Sequence, residues 1–203
     1  GIITALFYIL KRFFPQGITS ILLIAAYIIL TGGLHLDGLG DTFDGIFSNR
    51  SRERILEIMR DSRIGTNALL AVVCVIILDY ALLSSISVSY LPRALLLFPA
   101  AGRIGSLIGA GISVYAREGE GLGKSFIDCC GVKEILQGSI IYFLLSLLVL
   151  GTKGLLLAAL TVMTAFFTVR FFSKKVGGAT GDILGAVCEL NQTFFLILFY
   201  LVK

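Results

Sequence analysis

Residues 66–90 read TNALLAVVCVIILDYALLSSISVSY, an apolar stretch that contains a single charged side chain, Asp79. A bilayer core about 30 Å thick requires roughly 20 apolar residues of helix, and this stretch is long enough. The whole chain of 203 residues is also strongly apolar, because 57% of its residues are hydrophobic and only 15% are charged. That composition leaves too few polar residues to cover a water-soluble globule. The sequence therefore predicts an integral membrane protein.

Apolar runs of similar length lie on both sides of this stretch. We predict full spans at 17–33, 66–90, 94–114, 135–150, 154–172 and 184–202, preceded by a partial span that ends near Leu10. Because the chain begins at Gly1 rather than Met, we interpret the partial span as the remainder of a truncated N-terminal segment. The predicted fold is all-α. It is a polytopic membrane helical bundle of about six full spans plus a partial N-terminal one, forming a single integral membrane domain over residues 1–203.

Alternation of the spans places three loops, at 34–65, 115–134 and 173–183, on the same side of the membrane. That side carries eleven Lys and Arg residues, whereas the other side carries five. The positive-inside rule then predicts that the three loops face the cytoplasm. The cations are dispersed among the spans instead of forming a basic face, which argues against a nucleic-acid partner.

The loop at 34–65 contains a periodic set of carboxylates. Asp37, Asp41 and Asp44 are spaced i, i+4 and i+7, so a helix would carry them on one face. Three like charges so close repel each other, and a bound divalent cation would relieve the repulsion. All-oxygen ligands favour Mg²⁺, Ca²⁺ or Mn²⁺ over zinc, and Mg²⁺ commonly pairs with substrate phosphates. The alternative is an acidic helix end solvated at the membrane surface.

Two further groups of cations accompany these acids. Arg60 and Arg63 can clamp phosphate oxygens bidentately, with lipid headgroup contact as the alternative. A glycine-rich loop carries Arg117 and Lys124, but Glu118 stands where a Walker A motif requires glycine. The loop is therefore not that of a P-loop NTPase. It can still wrap an anionic substrate, and a solvated connector is the alternative.

The remaining candidates lie at the membrane boundary. Asp182 and Glu189 are seven residues apart and share a helix face, and an acid carried into a span faces the protein interior by default. For Asp182, helix capping is the alternative. His35 is the only histidine and is as compatible with a structural role as with a catalytic one. Three glycines between residues 38 and 45 indicate backbone freedom or the close approach of another element.

Several motifs together resemble one enzyme family. They are GGLHLDGLGDTFDG (32–45), MRDSRIGT (59–66), YARE (115–118) with GLG (121–123), and TGDILGA (180–186) followed by Glu-Leu. Over nearly the whole chain and in this order, they resemble the cobalamin synthase family of adenosylcobinamide-GDP ribazoletransferases. The resemblance implies that the protein joins α-ribazole or its 5′-phosphate to adenosylcobinamide-GDP and releases GMP, with Mg²⁺ as cofactor. It also implies a location in the cytoplasmic (inner) membrane.

The patterns and the resemblance together assign roles to twelve residues. The predicted catalytic residues are Asp41, Asp44, His35 and Arg60; the metal ligands are Asp37, Asp41, Asp44 and Asp61; and the substrate-binding residues are Arg63, Arg117, Glu118, Lys124, Asp182 and Glu189. A membrane cation transporter or channel with a carboxylate-lined path is the alternative function, and it requires acids at mid-bilayer. The aspartates instead cluster at one membrane face beside arginines, which would repel a cation.

Overall fold

The computed structural model describes residues 1–119 and 121–202, and within those ranges it forms ten helices. They are α1 (Ile2–Leu10), α2 (Gln16–Thr31), α3 (Leu34–Ile46), α4 (Arg52–Ile58), α5 (Thr66–Ser85), α6 (Leu91–Ile112), α7 (Leu122–Cys129), α8 (Val132–Leu150), α9 (Thr152–Val176) and α10 (Gly181–Val202). The only β-type pairing among the described residues is an isolated bridge between Tyr115 and Ala179. The all-α prediction is confirmed.

Five helices, α5, α6, α8, α9 and α10, are long and apolar enough to cross a membrane. α2 and α3 would together form a sixth span, although they are bent by 89°. This confirms a polytopic bundle of about six spans. The predicted start of the 94–114 span is late, because Pro92 lies in the first turn of α6, where a proline costs no helical hydrogen bond.

The bend between α2 and α3 is built by two consecutive glycines. Gly32 and Gly33 adopt left-handed conformations, with φ of 64° and 70°. Their N–H groups donate to the carbonyls of Ile29 and Ile28 and so close the end of α2. α3 therefore begins at once in a new direction. The segment 34–65, predicted to connect two spans, contains the helices α3 and α4, and α3 carries the aspartates whose spacing is helical. The segment 115–134 contains α7.

α10 is the most buried of the five long helices and packs against α3, α6 and α9. Its inner face carries fully buried apolar side chains such as Phe195 and Leu196. We call the end of the bundle where α5 and α10 begin and α6 and α9 end the site face. At the opposite end, the Gln16 amide donates to the carbonyls of Leu83 and Ile86 and ties the start of α2 to the end of α5.

Candidate active site

The site is organised by the crossing of α3 and α10, which meet at glycines. A Cβ atom on Gly38 would lie 2.8 Å from the carbonyl oxygen of Asp182 and 3.0 Å from its Cα. A Cβ on Gly185 would lie 3.3 Å from the Cα of His35. Side chains at these positions would force the helices apart. Close approach is thus the reason for glycine at position 38, and it brings the acids of α3 to the start of α10.

Four carboxylates lie near one another at this crossing. The half-buried Asp41 is within electrostatic range of Asp182, Asp37 and Asp44, and the guanidinium of Arg117 is the positive charge that opposes them. The i, i+4, i+7 pattern therefore produces the predicted cluster on α3. Asp182, which the sequence assigned to substrate binding, joins it from α10, and that juxtaposition depends on the packing of two distant segments.

Asp44 also has a structural role that the sequence reasoning missed. Its two carboxylate oxygens accept hydrogen bonds from the N–H groups of Gly65, at 2.6 Å, and Ala68, at 2.9 Å. These are donors at the N-terminus of α5, where the first turn has no helical partners for them. A carboxylate there satisfies the donors and complements the helix dipole. Asp44 therefore anchors the start of a span.

Arg117 connects the loop after α6 to α10. It forms an ion pair with Asp182 at 2.7 Å, and the two side chains are only 12% and 24% exposed. It also donates to the carbonyl of Met59 at 3.3 Å. Its Nε is buried and has no hydrogen-bond partner among the described residues. Arg117 thus joins three segments and retains an N–H group for a ligand.

Backbone contacts fix this loop and the start of α10. Ala116 donates to the carbonyl of Ala179 at 2.9 Å, and Ala179 donates to Val114 at 2.8 Å. The hydroxyl of Thr180 accepts from the N–H of Ile183 at 3.2 Å and caps α10. Helix capping was the alternative for Asp182, but Thr180 makes this capping bond, which leaves the carboxylate of Asp182 for Arg117.

A cavity of about 940 Å³ lies between α3, α6, α7 and α10 and the loop that carries Arg117. Near the site face its lining includes Asp37, Arg60, Arg117 and Asp182. Farther into the bundle, Arg103 and apolar side chains replace the acids. His35 also lines the cavity, so five of the twelve predicted site residues do so.

Arg103, which the predictions did not assign to the site, contributes a guanidinium to this cavity from within α6. It donates to the hydroxyl of Tyr27 and to the sulfur of Cys188, the latter at 3.6 Å, and it interacts electrostatically with Glu189. Asp79, the buried acid of α5, instead accepts a hydrogen bond from Thr193 at 2.8 Å. The signal was available in the sequence, because a charged residue inside a span is a functional candidate by default.

The ligand atoms of His35, Cys188 and Glu189 all lie within 4.8 Å of one another. Within the part of the chain that the structure describes, this is the one group of three potential metal-binding side chains so close together. Nitrogen, sulfur and oxygen donors suit zinc rather than magnesium. However, Arg103 already places a positive charge against the sulfur and the carboxylate. The group is therefore a charge-compensated polar cluster, of which His35 and Arg103 line the cavity while Cys188 and Glu189 are buried beside it.

Seven of the twelve predicted site residues lie outside this cavity lining: Asp41, Asp44 and Glu189, whose surroundings are described above, and Asp61, Arg63, Glu118 and Lys124. Arg63 donates to Asp61 from Nε at 2.9 Å and from Nη2 at 2.5 Å, and these bonds lower the pKa of the Asp61 carboxyl to about 2. Lys124 pairs with Asp128 at 2.5 Å on α7. Glu118 is exposed. The roles predicted for these residues stay predictions.

The fold and the site define a multi-pass membrane protein with a cavity of mixed acids and guanidiniums at one face, an arrangement suited to a large anionic ligand. The chain belongs to the cobalamin-5-phosphate synthase family, whose family model matches residues 1–200. No solved structure matches the chain.

Similar proteins bear one name. The chain is 82% identical over 203 residues to the adenosylcobinamide-GDP ribazoletransferase of Acetivibrio thermocellus, covering 100% of this chain and 82% of that protein. It is 54% identical to the ribazoletransferase of Clostridium acetobutylicum and 42% identical to that of Caldanaerobacter subterraneus, covering 80% and 81% of those proteins and 100% and 98% of this chain.

Proposed function

We propose that this protein is an adenosylcobinamide-GDP ribazoletransferase that joins α-ribazole, or its 5′-phosphate, to adenosylcobinamide-GDP and releases GMP. The observation that carries the proposal is the cavity of about 940 Å³, which combines carboxylates from α3 and α10 with three guanidiniums. Those guanidiniums, from Arg60, Arg103 and Arg117, match a substrate with a charged diphosphate. The names of the relatives agree with a transferase, and nothing in them supports the transporter alternative.

The reaction requires charge stabilisation more than covalent help from the protein. A ribose hydroxyl attacks the phosphorus atom attached to cobinamide, a new P–O bond forms, and the P–O bond to GMP breaks. The hydroxyl loses its proton and GMP carries away the electrons of the broken bond. Negative charge grows on the phosphoryl oxygens, where fixed N–H donors stabilise it. Arg117, with its unpartnered Nε, and Arg60 at the cavity wall are placed to donate.

We propose that His35, rather than Asp44, accepts the proton from the attacking hydroxyl group. Both oxygens of Asp44 already accept backbone hydrogen bonds at the start of α5. His35 lines the cavity, and its buried Nδ1 has no partner among the described residues. A neutral imidazole nitrogen without a hydrogen bond can accept a proton from a bound hydroxyl group.

We propose Mg²⁺ as cofactor, held by Asp37, Asp41 and Asp182. The donor set fits, because these acids supply only oxygen ligands and Arg117 alone opposes their mutual repulsion. In the described residues no three of their oxygens come within 4.8 Å of each other. Magnesium usually retains several water ligands and does not need three direct carboxylate contacts. When bound, it would neutralise charge on the phosphoryl oxygens.

Release of GMP by the purified protein in liposomes, from adenosylcobinamide-GDP and α-ribazole, tests the function. We expect the reaction to require Mg²⁺ and to slow by about 100-fold or more in Asp41→Asn, which removes charge from the cluster. Glu57→Gln is the matched control, because Glu57 is an exposed acid on α4 that pairs with Arg54. Magnesium uptake by the liposomes without any transfer would contradict the proposal.

We propose that the site face is cytoplasmic, as the distribution of Lys and Arg predicts. Cys129 is exposed at the end of α7 on this face. In a Cys130→Ser background, a membrane-impermeant maleimide should label Cys129 in inverted vesicles and not in right-side-out ones. With Cys129→Ser added, Ser89→Cys at the opposite face should give the reverse pattern. Labelling of Cys129 from outside would overturn this orientation.

A further inference from the structure

We infer that the seam between the ends of α6 and α9 binds the headgroup of an anionic phospholipid. A cavity of about 440 Å³ lies there at the site face, away from the lining of the candidate active site. Its lining includes two cations, two hydroxyls and two apolar side chains: Arg170, Lys174, Ser113, Ser173, Ile112 and Val169. This inference does not depend on the proposed transferase activity.

The charge of the seam is positive and uncompensated. Arg170 and Lys174 are exposed and one helical turn apart on α9, so they project to the same side. Neither forms an ion pair with a carboxylate in residues 1–119 or 121–202. No acid is present among the described residues of the lining. Basic pockets between spanning helices are typical binding sites for anionic lipid headgroups.

Two of the last four carbonyls of α9, which carry the negative end of the helix dipole, accept hydrogen bonds. Gly177 and Gly178 both donate to the carbonyl of Ser173, at 2.8 and 3.1 Å. Arg52 donates from Nε to the carbonyl of Val176 at 2.7 Å. These bonds reduce the partial negative charge of the last turn, and Arg52 brings a third cation near the seam. The local potential is therefore suited to an anion.

The apolar part of the seam indicates a lipid rather than a soluble phosphate. Val169 is fully buried at its base, and Ile112 is half-buried beside it. Exposed Phe166 continues the apolar surface outward, and the Arg170 guanidinium lies 5.5 Å from its ring centroid. A phospholipid presents a charged headgroup directly beside acyl chains, which matches this order of groups. A soluble phosphate would contact only the cations.

The hydroxyls complete the polar end of the cavity. Ser113 and Ser173, from the two helix ends that form the seam, have their oxygens 3.3 Å apart, and both residues are half-buried. Each hydroxyl carries one proton that it can donate to a phosphate oxygen. We therefore expect the headgroup phosphate between the two serines and the two cations, with the acyl chains along α9.

Native mass spectrometry of the intact chain with phosphatidylglycerol and phosphatidylcholine of identical acyl chains tests this site. We expect a preference for phosphatidylglycerol, weakened about 10- to 30-fold in Arg170→Gln/Lys174→Gln, from two lost cation contacts. Lys11→Gln/Arg12→Gln removes the same two residue types at the opposite face and should leave the affinity unchanged. Arg170→Lys/Lys174→Arg keeps both charges and should retain binding.

Three results would overturn the inference. They are equal affinity for the two lipids, an equal loss in the control pair, and displacement of the lipid by glycerol phosphate at the same concentration, which would indicate a free-phosphate site. If the double Gln variant does not fold, the lipid affinities of the unaltered chain are measured at increasing salt concentration instead. The affinity for phosphatidylglycerol must then fall with rising salt while that for phosphatidylcholine does not.

Discussion

The two halves of the segment 34–65 are both rich in charge, but their acidic side chains are paired differently in the structure. In α3 the acids have no cationic partner on their own helix and are pressed against Asp182 of α10. In the segment from α4 to α5 the acids Glu57 and Asp61 pair locally with Arg54 and Arg63 and stay outside the cavity, to which this half contributes only Arg60 among the described residues. Charge that is satisfied by near neighbours in sequence has little left for a ligand. Unrelieved repulsion between distant segments marks the half that forms a site.

The largest expected effect comes from removing the acid that α10 contributes. Asp182→Asn leaves Arg117 without its ion-pair partner and takes one charge from the cluster, so we expect GMP release to fall by about 100- to 1,000-fold. Asp128→Asn, on exposed α7, is the control and should keep most of the activity. Equal losses in the two variants would remove the distinction between the halves.

Separating α3 from α10 is the next strongest test. In Gly38→Ala the new methyl group would lie 2.8 Å from a backbone oxygen, so the helices must shift and we expect at least a tenfold loss of activity with about 1–3 kcal/mol of stability. Gly131→Ala makes the same chemical change where the nearest atom is 3.6 Å away. Thermal unfolding by circular dichroism and GMP release should both be near normal in that control.

Asp44 should behave as a structural residue within the functional half. Asp44→Ala leaves two donors of α5 unsatisfied, and we expect about 1–3 kcal/mol lower stability, measured as a lower unfolding midpoint. Asp128→Ala should leave the midpoint unchanged. Activity lost without any change in the midpoint would instead favour the catalytic and metal-binding roles that the sequence predicts for Asp44.

The smallest effect is expected in the locally paired half. Arg63→Gln removes the guanidinium hydrogen bonds that lower the pKa of Asp61, while the backbone N–H of residue 63 still donates to it, so the pKa measured by NMR should rise from about 2 toward its ordinary value. The pKa of Asp61 is lower in the folded protein than its ordinary value, so the pair adds to the free energy of unfolding at pH values above that ordinary value. This contribution is lost as the pH falls toward 2. GMP release at neutral pH should stay within about twofold. A large loss would instead support the substrate-binding role that the sequence predicts for Arg63.

The sequence predicted those features that depend on contiguous residues. Span positions follow from length and apolarity alone, and the carboxylate cluster of α3 follows from helical spacing. The crossing at Gly38, the partner of Arg103 and the hydrogen bonds of Asp44 depend on segments far apart in the chain. The local sequence around each of these residues does not indicate which distant helix will contact it. The pairing of Asp61 with Arg63 is local, but spacing alone does not distinguish an acid that pairs with its neighbour from one that binds a metal.

The glycine pair at the end of α2 sets the angle at which α3 leaves α2, and any change in that angle is amplified along α3. Asp41 lies about 12 Å along the helix axis from this pivot, at about 1.5 Å per residue. A change of 5° at the pivot would displace its carboxylate by about 1 Å, and misplacement on that scale can slow a reaction by about 100-fold. Gly32 and Gly33 therefore set the alignment of the aspartates of α3, although neither glycine is assigned a contact with a ligand. Substitutions there would act on catalysis through angle alone.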